Sequence, residues 1–191
     1  MEHNETIIEE WGSISIPTPP ELKSVGVESK SAALLILDFQ NLNCNQERRP
    51  RCVVTLPKVK SLLSMARKNG MLVAYALIRS SSVEDIRDEV KPLGNEPIVK
   101  AGVDKFYKTD LENILATNAI SEVIITGTSA HGAVLHTATG AAQRQLKVIV
   151  PVDLISATEP YAEQYTVWHL ANSPGTRSSV TLTKSDMIEL K

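Results

Sequence analysis

Apolar residues recur along this chain in short continuous runs separated by helix-like stripes. The runs are "AALLILD" (32–38), "MLVAYALI" (71–78), "EVIITG" (122–127), "KVIVPVD" (147–153) and the weaker "SSVTLT" (178–183). Continuous runs, rather than in–out alternation, predict strands buried on both faces. Between the first two runs, Leu56, Val59, Leu62, Leu63 and Ala66 form one helical stripe. Thr55 is the expected cap of that helix, Pro57 a first-turn residue and Gly70 its end. "TDLENILATNA" (109–119) repeats the logic with Leu111, Ile114 and Leu115, and "GAVLHTATGAAQRQ" and "EPYAEQYTVWHLAN" supply two more helices.

Strand–helix–strand alternation predicts an α/β fold: three layers (α/β/α), a Rossmann-like doubly wound, mostly parallel sheet of about six strands, and right-handed crossovers. Residues 1–30 are expected to be an N-terminal arm and 31–191 the domain. In the arm, Ser13–Ile16 alternates briefly before prolines that cannot join a central ladder. In sheets of this kind ligands sit at the carboxyl ends of the strands. That rule points to Asp38, Arg79 and the turn "GTSAHGA", Gly127 to Ala133.

Composition narrows the classes. The chain has 191 residues, 42% hydrophobic, enough for a sizeable core. A net charge of −2 supplies no basic field for nucleic acid and no polybasic tract for a membrane surface. No apolar run approaches the length of a spanning helix. The acidic start "MEHNETIIEEWG" does not read as a secretory signal, so a cytoplasmic protein is the expectation. Cys44 and Cys52 are too few for a disulfide framework and read as reduced thiols.

Asp38 ends an apolar strand, where a carboxylate is costly unless it is paired or working; a loop-anchoring role is the competing reading. Lys100 follows a short apolar piece, a place where a lysine by itself reads as surface. The turn at 127–133 brings backbone amides to the mouth of the sheet, and the dipole of the following helix favours an anion there. An ordinary strand–helix turn packed with small residues is the alternative. His131, within the turn, could donate to a substrate. His3, His136 and His169 have no partners at metal-ligand spacing, and Tyr165 and Trp168 read as packing residues.

Taken together, "LDFQN" (37–41), "KAGVDKF" (100–106) followed by "TDL", and the turn Gly127, Ala130, His131, Ala133, Thr137, Ala138 resemble the isochorismatase-like, or cysteine hydrolase, superfamily. The resemblance covers about residues 32–188. It implies a catalytic set of aspartate, lysine and cysteine, carried over to Asp38, Lys100 and the nucleophile position, which here is Ala133. It also implies substrate contacts from Gln40, Ser129, Ala130, His131 and Gly132, with Arg79 as a further carboxylate contact. A methyl group cannot attack a carbonyl, so no acyl-enzyme forms by that route.

Isochorismatases resemble this chain more closely, because they too carry Ala-His in the turn and a small residue in place of the cysteine. The implied activity is hydrolysis of the enolpyruvyl vinyl ether of isochorismate, giving pyruvate and 2,3-dihydro-2,3-dihydroxybenzoate, with Asp38 as general acid. A small-molecule carboxylate substrate, no cofactor, no metal, and a homodimer or homotetramer follow from the same resemblance. Nicotinamidase relatives hold a metal with an Asp-x-His motif, but "LIRSSSVEDIRDEV" contains no histidine. Two other readings stay open: an amide or C–N hydrolase inactivated by alanine at the cysteine position, and a non-catalytic binding protein that kept the pocket.

Overall fold

The computed structural model describes residues 6–191; His3 lies outside them. The elements run β1 (Val25–Val27), β2 (Ala32–Leu37), α1 (Pro50–Lys68), β3 (Leu72–Ile78), β4 (Ile98–Ala101), α2 (Leu111–Thr117) and β5 (Glu122–Thr128). A π-helical turn, Ala130–Val134, then leads into α3 (Leu135–Gln143), β6 (Lys147–Pro151), β7 (Ile155–Ser156), α4 (Pro160–Asn172), β8 (Val180–Thr183) and β9 (Ile188–Leu190). The main sheet has seven strands in the order β4-β3-β2-β5-β6-β8, with β7 paired to the end of β5. Every pairing in it is parallel. With helices on both faces, this is the three-layer α/β/α architecture.

The continuous apolar runs are explained by two cores. In β2, Ala33, Leu35 and Leu37 face α2, α3 and α4, packing with Leu115, Val134, Ala138 and Leu170. Their alternates Leu34 and Ile36 face α1, packing with Leu56, Val59, Leu62 and Leu63. A strand covered on both sides needs apolar residues at every position.

Three local expectations are corrected. Helix α1 begins at Pro50, so Thr55 and Pro57 lie inside it rather than at its start. Thr55 Oγ1 donates back to Cys52 O (2.8 Å) instead of capping, while Gly70 does end the helix in the left-handed region (φ 67°). Ser13–Ile16 forms no strand, and Ile14 and Ile16 are exposed. The strand near the N-terminus is instead β1, which pairs in parallel with β9 and packs Val27 into the α1-side core. Finally, Cys44 and Cys52 are joined in a disulfide, both fully buried with Cα atoms 5.3 Å apart. Their small number suggests reduced thiols; the turn after Asp38 folds back onto the start of α1 and brings them within bridging distance.

Candidate active site

Strands β2 and β5 lie side by side, with Leu37 in register with Gly127, so the segments leaving the two strands meet at one mouth. The approach there is close. A Cβ on Gly127 would come within 2.6 Å of Leu37 O and Leu37 Cβ, and its φ of 154° is one that L side chains rarely adopt. Only glycine fits.

Asp38 follows β2 in the left-handed region (φ 56°), unusual for a non-glycine residue, and its amide donates to Ala76 O (2.9 Å). Gln40 secures this bend. In the amide orientation that satisfies both its ends, it donates to Asp38 O (2.9 Å) and accepts from the Ile78 amide (3.0 Å). Gln40 is fully buried, and its hydrogen bonds here position the loop.

The lysine of the site is Lys105. Its Nζ donates to both Asp38 oxygens, at 2.7 and 2.6 Å, and to Gly102 O at 2.9 Å. Lys105 is fully buried and Asp38 is 5% exposed. Its loop is braced by the helix after the turn: the Lys105 amide donates to Thr137 Oγ1 (3.2 Å), which donates to Val103 O (3.4 Å). Lys100, the expected lysine, is exposed on edge strand β4, opposite Leu77 and separated from β2 by β3. The reason is strand alternation: Val99 and Ala101 turn inward, so Lys100 turns out. The irregular segment 102–105 then swings the second lysine of "KAGVDKF" inward. Nothing in the sequence separates the two lysines; the full burial of Lys105 does, and it is tertiary.

Burial dominates the electrostatics. Desolvation pushes the Asp38 carboxyl above the ordinary aspartate range, against the opposing pull of Lys105. The same desolvation pushes Lys105 below the ordinary lysine range, against the pull of Asp38. Both shifts favour the uncharged forms, so a proton held between these groups can be given up or taken at lower cost than in water.

Across the mouth, the Thr128–Ser129 peptide is cis and Ser129 leads into the π-helical turn. Ser129 O accepts from the amides of Gly132 (3.1 Å) and Val134 (3.3 Å). Ala130 is fully buried, Ala133 is 2% exposed, Ser129 and Gly132 are half-buried, and His131 is exposed. A Cβ at Gly132 would sit 2.6 Å from Ser129 Oγ, so the turn is packed tightly on itself. Arg79, just after β3 on the same edge of the sheet, is exposed, and among the described residues its side chain has no hydrogen bond or ion pair. No three His, Cys, Asp or Glu side chains among the described residues come together as a metal site.

An aspartate–lysine pair at the end of one central strand, facing a small-residue turn after the next, can be compared with known proteins. The isochorismatase domain family matches residues 32–181. The chain belongs to that family. The isochorismatase family is one of hydrolases. Over 91 residues the chain is 31% identical to the N-carbamoylsarcosine amidase of an Arthrobacter species, a match covering 47% of this chain and 34% of that protein. The matched stretch thus spans about a third of the length of that relative. An isochorismatase family protein from Desulfovibrio vulgaris superposes with a TM-score of 0.74 at 19% identity, over 82% of this chain and 95% of the other. The N-carbamoylsarcosine amidase of Thermoplasma acidophilum gives 0.69 at 23% identity, over 82% and 97%. The nicotinamidase of Bacillus subtilis gives 0.67 at 20% identity, over 77% and 98%. These likenesses establish a shared fold.

Proposed function

We propose that the protein is a hydrolase of the isochorismatase family that works without a covalent nucleophile, with Asp38 as the general acid. The observation that carries this reading is the buried Asp38–Lys105 pair, whose carboxyl is held above its ordinary pKa beside a turn that offers only the methyl of Ala133. An acid is what vinyl ether hydrolysis needs. A proton is delivered to the terminal methylene carbon, water adds to the oxocarbenium centre, and the resulting hemiketal releases pyruvate and the ring alcohol. Lys105 holds the carboxyl in place, while burial offsets its preference for the charged form. The turn presents the start of a helix to the substrate's charge.

Isochorismate is the substrate on which this reading stands. The experiment is incubation of folded protein with isochorismate while pyruvate is followed through a lactate dehydrogenase couple. Release well above the buffer rate supports the reading, and release at the buffer rate overturns it.

The stretch similar to N-carbamoylsarcosine amidase favours a second reading, a C–N hydrolase in which alanine occupies the nucleophile position. It predicts that Ala133→Cys gains hydrolysis of N-carbamoyl amino acids, seen as ammonia release. The acid-catalysed reading predicts no such gain.

A further inference from the structure

Among the described residues three buried side-chain polar atoms have no hydrogen-bond partner: Ser29 Oγ, Arg49 Nε and Ser156 Oγ. Ser29 precedes β2, at the amino ends of the strands and away from the site. The other two are at the mouth. Ser156 is 1% exposed and pairs in register with Thr128, the residue that ends β5. Arg49 immediately precedes α1, and its guanidinium feels the charge of the Asp38 carboxylate. A buried donor without a partner costs roughly 1–3 kcal/mol, more when charged, so such groups call for an explanation.

Arg49 is held firmly in an under-satisfied state. Its amide donates to Asn45 O (2.9 Å), its carbonyl accepts from the Cys52 amide (2.9 Å), and the Cys44–Cys52 disulfide brackets the segment. Its Nη1 reaches Asn43 O only at a long 3.5 Å, and the side-chain amide of Asn43 lies 3.0 Å from that of Gln40, which itself donates to Asp38 O. Two other arginines differ: Arg51 is committed to Glu163, and Arg87 to Glu89. Among the described residues no carboxylate pairs with Arg49. Its fork of donors is therefore half-buried and positioned, and it feels Asp38 without touching any carboxylate.

We propose that Arg49 is the receptor for a carboxylate of the substrate, with the unpartnered Ser156 Oγ at the end of β7 as a second hydrogen-bond donor, at the site that Asp38 and Lys105 serve. This rests on the reading of that site as one for small carboxylated molecules, and it replaces Arg79 by a residue inside the mouth. A substrate carboxylate on Arg49 completes the guanidinium's hydrogen bonding. Its negative charge near Asp38 also favours the protonated acid that the reaction requires.

The test is calorimetric titration of the whole protein with benzoate and with its neutral isostere benzamide, in wild type, Arg49→Gln and Arg49→Lys. Benzoate is expected to bind wild type more tightly than benzamide. Arg49→Gln is expected to weaken benzoate by about tenfold to a hundredfold, the scale of one lost charge-assisted hydrogen bond, and to leave benzamide unchanged. Arg49→Lys, which keeps the charge without the fork, is expected to fall between them and guards against a folding defect in the first variant. Benzoate binding that is no tighter than benzamide in wild type, or that is unaffected in Arg49→Gln, overturns the assignment. The titration needs no turnover. Arg49-dependent benzoate binding without pyruvate release would refute only the isochorismate reading, whereas pyruvate release with an unchanged KM in Arg49→Gln would refute only this one.

Discussion

At the scale of single residues the site is governed by desolvation. Asp38 and Lys105 are each costly to bury as ions and are kept by each other, with both carboxylate oxygens engaged. Removing one partner leaves the other stranded. Asp38→Asn is therefore expected to lower stability by about 3–5 kcal/mol, and the double variant Asp38→Asn/Lys105→Met to recover most of it. Urea denaturation of the single and double variants checks this; equal losses in both would contradict it. On activity, Asp38→Asn that remains folded by circular dichroism is expected to lose more than about 100-fold in pyruvate release.

The pH dependence follows from the same pair. The acid works only while protonated, so activity is expected to fall as pH rises through the folded-state pKa of Asp38, which burial holds above the usual value of about 3.9. Because Lys105 pulls that pKa down, Lys105→Met is expected to move the falling limb to higher pH. A profile unmoved by this substitution would show that the lysine only fills space.

At the scale of elements, the segment from Asp38 to the start of α1 is built as a clasp. Asp38 sits in a left-handed bend, Gln40 pins it to β3, and the disulfide closes the loop that ends at Cys52. Closing a loop of this length stabilises by about 2–3 kcal/mol in the chain-entropy account. The Cys44→Ser/Cys52→Ser double variant is expected to melt lower by a corresponding amount in scanning calorimetry, and an unchanged melting temperature would argue against a closed disulfide in solution. The facing element is fixed differently, by close approach. Gly127 has no room for a methyl because the Leu37 carbonyl, a backbone atom, cannot move aside cheaply.

At the scale of the whole molecule, the arm and the domain contribute unequally. Neither core cluster contains a residue before Leu22, and Trp11 meets the domain through a tilted ring contact with Tyr161, with centroids 6.4 Å apart. Such a contact is worth about 0.5–1.5 kcal/mol. Removal of residues 1–20 is expected to lower the melting temperature by only a few degrees, whereas removal through residue 27 also deletes β1 and its pairing with β9 and should cost far more. Calorimetry on the two truncations distinguishes them.

The architecture was legible in the chain because burial on both faces of a parallel sheet forces continuous apolar runs, and a helix with one buried face forces a stripe at helical spacing. Both are patterns of near neighbours in sequence. Asp38 was legible for the same reason, as a charge at the end of an apolar strand. The turn was legible from its small residues. What sequence could not convey was which distant residues meet. "KAGVDKF" holds two lysines, Lys100 and Lys105, and only the inward swing of an irregular loop against α3 selects the second. Two cysteines in a polar stretch became a disulfide because the chain reverses between them, and Arg49 stands at the mouth because that reversal places it there. Near-neighbour periodicity determines the elements, whereas the partners of a buried charge depend on long-range closure, which tertiary packing alone decides.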